Sequence, residues 1–189
     1  MPHLVITGAS AGIGAATAEL FQNNGFDIVN LSRKPCPVTG VTNIRCDLSE
    51  LDFIQAIQDE LYNALGDSTQ ITLIHNAALL INDNIASTDS EQLRRVLEIN
   101  VVAASSLNQI LIPRMGTGSS VLYVGSTLGE KAVPNSFTYA TSKHAVIGMM
   151  HATCQDLAGS GVHTVCINPG FTNTEMLREH VPADVMPQI

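Results

Sequence analysis

The sequence predicts an α/β fold, a doubly wound parallel sheet in three α/β/α layers, on three observations. Short β-branched runs alternate with longer amphipathic stretches, the runs are largely apolar, and a glycine-rich turn follows the first of them. Strands without polar alternation belong to parallel sheets covered by helices on both faces. The first strand is HLVIT (3–7), followed by a helix over about 13–24 that stops at Gly25, a favoured C-terminal residue. DIVNLS (27–32) and NIRC (43–46) come next, then a helix over about 51–65 and the strand ITLIHN (71–76). In TDSE, Thr88 and Glu91 form a capping box that opens a helix running to about Ile112, before Pro113. SVLYVGS (120–126), a helix over about 137–157 and VHTVCIN (162–168) complete the series.

Bulk properties narrow the class. The chain of 189 residues is 45% hydrophobic, long enough for one domain with a sizeable core, and has neither repeat nor linker. Only 14% of residues are charged, against roughly a quarter in ordinary domains, so much surface is neutral or covered. That predicts a homodimer or homotetramer, and the helix over 91–112, apolar nearly all round, points the same way. A net charge of −8 opposes a nucleic-acid partner, because phosphate contacts need clustered Lys and Arg. MPHLVITGAS has neither the basic nor the long apolar region of a leader, and no later run approaches a membrane span, so a soluble, cytoplasmic protein without a membrane partner is expected. Cys36, Cys46, Cys154 and Cys166 lack C-x-x-C spacing and read as reduced packing residues. The six His form no ligand pattern, so no metal site is expected.

The turn TGASAGIGAATAEL brings Gly8, Gly12 and Gly14 to a strand-to-helix junction, where an open α/β sheet binds ligands. With Ser10 and Ile13 it forms a Rossmann-type phosphate cradle, in which backbone N–H groups and the helix dipole stabilise a pyrophosphate. The spacing is G-x-x-x-G-x-G, and the missing G-K-[ST] excludes a P-loop. A plain glycine turn is the alternative. After the second strand, Ser32, Arg33 and Lys34 stand where a carboxylate would bind a ribose 2′-OH. An Arg there can pair with a 2′-phosphate and favours NADP over NAD, although a solvated loop charge fits the same residues. Tyr139 and Lys143 are four residues apart in SFTYATSKHAVIGMM and share one helix face. Taken alone, that pair fits a solvated helix face as well.

T-G-x-x-x-G-I-G at 7–14 together with Y-x-x-x-K at 139–143 resembles the short-chain dehydrogenase/reductase family. Further agreement comes from Asp47 and Leu48 in CDL, Asn76 and Ala77 in HNAA, Asn100 in LEINVVA, Ser126 thirteen residues before Tyr139, and NPGFTNTEM with Pro169, Gly170, Thr172 and Thr174. The resemblance covers residues 3 to about 178 and implies an NADP(H)-dependent oxidoreductase that interconverts a carbonyl and an alcohol on a small molecule. It implies that Tyr139 is the acid/base, that Lys143 lowers the pKa of Tyr139 and holds the nicotinamide ribose, that Ser126 orients the carbonyl, and that Asn100 holds a relay water. Asp47 and Leu48 would meet adenine, Asn76 and Ala77 the adenosine side, and Pro169, Gly170, Thr172 and Thr174 the nicotinamide end. Three departures stand out. His75 and Ala78 replace the first Asn and the Gly of the family's N-N-A-G, with His75 read as a core histidine whose hydrogen bonds are satisfied. Ala11 lacks the basic residue many NADP-dependent relatives carry. The chain is also shorter than the family's usual ~250 residues, so the single domain over 1–189 is expected to stop before a last strand, either by truncation or because this member lacks that edge, with 171–189 forming a substrate flap. A non-catalytic NADP-binding regulator or scaffold is the rival, and a nucleotide-sugar epimerase or dehydratase ranks third.

Overall fold

The computed structural model describes residues 1–180. Strands β1 (His3–Thr7), β2 (Asp27–Ser32), β3 (Thr42–Arg45), β4 (Ile71–His75), β5 (Ser120–Val124) and β6 (His163–Ile167) form one parallel sheet in the order β3-β2-β1-β4-β5-β6. This is the doubly wound, Rossmann-type arrangement, with six strands among the described residues. Chain order reverses between β1 and β4, which opens a crevice at the C-terminal ends of those two strands.

The all-apolar central strands have the expected cause. On β1, Leu4 and Ile6 pack with Ile28, Ile74 and Ala18 on one face, while Val5 packs with Val29, Leu73 and Leu107 on the other. Helix α1 (Gly12–Asn23) covers the first face; α2 (Phe53–Leu65) and α5 (Phe137–Asp156) contribute Phe53, Ile57, Leu61 and Val146 to the second. Strand β6 differs, since alternate residues along it are exposed.

The helix expected over 91–112 is four segments. Helix α3 (Ser90–Leu97) runs into a π-helical turn (Glu98–Val102), which continues as α4 (Ala103–Leu111) and ends in a 3₁₀ turn holding Pro113. Its cap is also displaced from the Thr88 capping box. Asp89 accepts from Gln92 N at 2.7 Å, while Thr88 Oγ1 is drawn 2.7 Å onto the carboxylate of Asp83. Ser90–Arg114 is, by length and composition, long and apolar enough to cross a membrane, contrary to the expectation that no run approaches that length. Here it packs on the sheet through Val96, Ala103, Leu107 and Leu111, all buried. Helix α6 (Glu175–His180) follows β6. The expected flap over 171–189 is described only to His180, where Asn82 Nδ2 donates to the His180 carbonyl; its remainder lies outside the described residues.

Candidate active site

The crevice at the switch point is built from the glycine turn outward. Gly8 and Gly12 have φ of +72° and +54°, where a side chain is strained, and a Cβ on Gly14 would lie 2.5 Å from the Gly8 carbonyl oxygen. Helix α1 therefore starts hard against the end of β1. Ala11 precedes its first turn without a side-chain cap, so the leading N–H groups face the crevice with no acidic neighbour in that turn. Ser10 and Ile13 flank this opening, and Ser32 Oγ lies 3.4 Å from Ser10 Oγ, joining the turn to the end of β2. Thr174 closes over the turn, since a Cβ on Gly12 would lie 3.1 Å from its methyl. The loop of Pro169, Gly170 and Thr172 leads there from β6, and Pro169 accepts through its carbonyl from Thr127 N.

Two residues that sequence patterns left unassigned hold this cradle. Thr7 Oγ1 accepts from the backbone N–H groups of Asn76 and Ala77, both at 3.0 Å, tying β1 to the loop after β4. Asn76 Nδ2 then donates to the carbonyls of Thr7 and Gly8, so it shapes the turn from below. Asn30, buried in β2, accepts from Ala9 N at 3.0 Å. A lone Thr before a glycine and a lone Asn in a strand carry no signal of these distant partners. Ala78 adjoins this ring through Ala77, whose Cα would already lie 3.0 Å from a Cβ on Gly8.

On the adenosine side, Arg33 and Lys34 are exposed beyond β2. Asp47 accepts from the N–H and hydroxyl of Ser49, which hold its carboxyl below the usual range; the positive charges of Arg33 and Arg95 add to this. Leu48 beside it is buried in the core.

The four residues of the proposed chemistry converge across the crevice. Tyr139 and Lys143 lie on one face of α5, with the Lys143 ammonium 5.5 Å from the centre of the Tyr139 ring. Both are buried. Lys143 Nζ donates to the Val124 carbonyl at 2.7 Å, and burial pulls its pKa down to about 8. Burial also raises the Tyr139 phenol above its ordinary value, outweighing the Ser126 hydroxyl, which favours the phenolate. The expected depression of that phenol is therefore not found in the protein alone, where lost hydration prevails. Ser126 caps the short 3₁₀ turn after β5, accepting from Leu128 N at 3.1 Å, a bond that leaves its hydroxyl proton free. Asn100 sits in the π-helical turn, where it accepts from Leu79 N and donates to the Leu79 carbonyl and to Ser142 Oγ on α5. Both of its N–H groups are thereby used. A π-turn widens the helix by one residue and is a common way to aim a side chain at a site.

The start of α5 is fixed from a distance. Asp83 is buried, accepts from Thr138 N at 3.0 Å, and receives Thr88 on its second carboxylate oxygen. It thus sets the helix end that carries Tyr139, a contact across 55 residues that no local pattern reveals. His75 is only half satisfied, in contrast to expectation. Its Nε2 pairs with Asn108 Oδ1 at 2.8 Å, while Nδ1 is buried with no partner among the described residues. Cys36 and Cys46 are buried as packing residues, Cys166 is half-buried and Cys154 is exposed.

Comparison with known proteins bears on the same crevice. Residues 2–184 match the family model for short chain dehydrogenase. Short chain aldehyde dehydrogenase 1 of Euphorbia lathyris is 28% identical over 92% of this chain, which spans 64% of that protein's length. The NADPH-dependent 3-dehydrocapnine reductase of Ornithobacterium rhinotracheale is 29% identical over 93% of this chain and 67% of its own. Among solved structures, a short chain dehydrogenase/reductase family oxidoreductase from Brucella ovis, in complex with a partially ordered NAD, superposes with a TM-score of 0.80 at 28% identity, covering 89% of this chain and 82% of that one. With its glycine turn, strand order and near full-length match, the chain belongs to the short-chain dehydrogenase/reductase family.

Proposed function

We propose that the protein is an NADP(H)-dependent oxidoreductase that interconverts a carbonyl and an alcohol on a small molecule. The observation that carries this is the convergence of Ser126, Tyr139, Lys143 and Asn100 beside an uncapped, glycine-lined helix start. The cradle fits a dinucleotide, because Gly8, Gly12 and Gly14 let the turn pack closely against Ala77, Thr174 and Asn76 and leave the uncapped N–H groups of α1 for a pyrophosphate. When bound, the nicotinamide supplies or accepts the hydride. Gly8, Ser10, Gly12, Ile13 and Gly14 would hold the pyrophosphate, Asp47, Leu48, Asn76 and Ala77 the adenosine, and Pro169, Gly170, Thr172 and Thr174 the nicotinamide end.

Ser126 then donates its hydroxyl hydrogen to the substrate carbonyl and stabilises charge as it develops on that oxygen. Tyr139, kept protonated by burial, delivers its proton to the same oxygen in reduction. Lys143 stays mostly protonated at neutral pH despite its lowered pKa, and holds ribose hydroxyls while favouring the phenolate left behind. Asn100 locks the loop at Leu79 to α5, which keeps the wall of the crevice in register. NADP is preferred over NAD because Arg33 and Lys34, where the end of β2 carries no carboxylate, would meet the adenosine ribose. A relative named for NADPH dependence agrees with this, and a neighbour solved with NAD speaks for the other cofactor. Low charge and the exposed Ile85, Val102 and Val133 support a homodimer or homotetramer.

The test is fluorescence titration with NADPH and NADH, followed by a carbonyl panel. Tight NADPH binding, weak NADH binding and NADPH oxidation are expected. Tyr139→Phe should keep cofactor affinity and lose at least about a hundredfold in turnover, the low end for a positioned acid. Equal turnover would remove Tyr139 from the mechanism. Binding without turnover on any carbonyl would favour the rival, a cofactor-binding regulator or scaffold.

A further inference from the structure

We infer that His75 is a positioning residue: through Nδ1 it holds one internal water in a cavity it shares with Lys143, and a buried chain of Asn108, Tyr123 and Thr153 fixes the imidazole tautomer this requires. The direction of every bond in that chain follows from one backbone carbonyl. Thr153 Oγ1 donates to the Met149 carbonyl at 2.9 Å, so it can only accept from Tyr123 OH, 2.9 Å away. Tyr123 OH, having spent its proton there, accepts from Asn108 Nδ2 at 2.7 Å. Asn108 therefore turns its carbonyl oxygen to His75, and Nε2 must carry the hydrogen. Nδ1 is left as a bare acceptor.

That acceptor is buried and has no partner among the described residues. An isolated acceptor in the core costs about 1–3 kcal/mol, so it calls for a donor. His75 lines a cavity in which a water's centre has about 10 Å³ to occupy, with Thr7, Asn100, Tyr123, Val124 and Lys143 in its walls. That is enough for one water molecule, and His75 Nδ1 with the Lys143 ammonium supplies the two partners such a water needs at the least. The Lys143 ammonium uses one N–H on Val124, a member of the same wall, and keeps two for other acceptors. A water that donates to Nδ1 and accepts from Lys143 satisfies both. Stacking of the imidazole on the Tyr123 ring, 5.0 Å between centres, holds its plane. Burial pushes the His75 pKa down to about 4, which keeps the ring neutral across the working range.

The decisive experiment is nitrogen-15 NMR of histidine-labelled protein, with a high-resolution crystal structure of the same chain. His75 should be neutral and Nε2-protonated at every pH above about 5.5, with a single water on Nδ1. Tyr123→Phe removes the acceptor for Asn108 Nδ2, frees that amide to turn over, and should convert His75 to the Nδ1-protonated form, in which Nδ1 donates to the water and no longer accepts from it. An Nδ1-protonated imidazole in the unmodified protein, or a dry cavity, would overturn the inference. Should Tyr123→Phe fail to fold, Thr153→Val cuts the same chain one bond further out and should loosen the tautomer preference. None of these readouts needs turnover, so they stand apart from the fate of the proposed activity. The consequence for catalysis rests on that activity: Tyr123→Phe should then lower kcat several-fold with cofactor Kd unchanged.

Discussion

Two helix starts in this molecule solve the same problem in opposite ways. Helix α3 begins with Asp89, whose carboxylate takes the N–H of Gln92, and Glu91 adds an acid to its first turn. Helix α1 begins with Ala11, which takes none, and no acid follows. Each helix exposes donors that must find partners. At α3 the chain supplies the partner itself; at α1 it withholds one and packs glycines so that bare backbone forms the turn. The difference separates a helix end built for stability from one built for a ligand.

The comparison breaks most severely at Ala11. An aspartate there gives α1 the cap that α3 has, and Ala11→Asp should raise the stability of the unliganded protein by about 1 kcal/mol. The same carboxylate would stand against a pyrophosphate, and like charges in that position cost several kcal/mol, so NADPH affinity should fall by about a hundredfold or more. A stabilised variant that still binds NADPH would sink the assignment of this helix start to phosphate. Gly14→Ala comes next. Its Cβ would press to 2.5 Å on Asn76 Nδ2 and on the Gly8 carbonyl, and overpacking of this kind costs about 1–3 kcal/mol. Thermal denaturation should show the loss, and NADPH titration a weakened site. Asp89→Ala should be the mildest, costing about 1 kcal/mol in urea unfolding and leaving NADPH affinity unchanged. A change in affinity there would mean that α3 communicates with the crevice.

Much of this was legible beforehand, for reasons that can be traced. Strands β1, β2 and β4 follow from near-continuous apolar runs, because the middle of a sheet covered on both faces leaves little polar alternation, whereas β3, β5 and β6 alternate in burial. The glycine turn and the Tyr139/Lys143 pair are local patterns, and local patterns survive in sequence. What escaped was either long-range or shifted by one position. Thr88 and Asp89 are both good caps, and only the buried carboxylate of Asp83 decides between them by drawing Thr88 aside. Asp83 itself, sitting in a polar stretch, gives no hint that it fixes the start of α5. His75 reads as core, and it is; that one of its nitrogens lacks a partner depends on an amide 33 residues away. Asn100, among apolar neighbours, finds its partners in Leu79 and Ser142, both far off in sequence.

The π-helical turn at Glu98–Val102 also explains why the long helix seemed apolar on every side. An extra residue in one turn rotates everything upstream against everything downstream by about 100°. The apolar stripe of α3 and that of α4 are each narrow, but they are out of phase, and a single wheel drawn through both smears them into a continuous ring. The turn therefore acts as a fixed offset between two gears. Exchanging a side chain within it leaves the offset intact, whereas deleting one residue from 98–102 would restore an ordinary ladder and turn α3 by a third of a revolution relative to α4. Arg95 would swing away from Asp47, and Asn100 would leave Leu79. In this stretch the number of residues is constrained alongside the identity of Asn100.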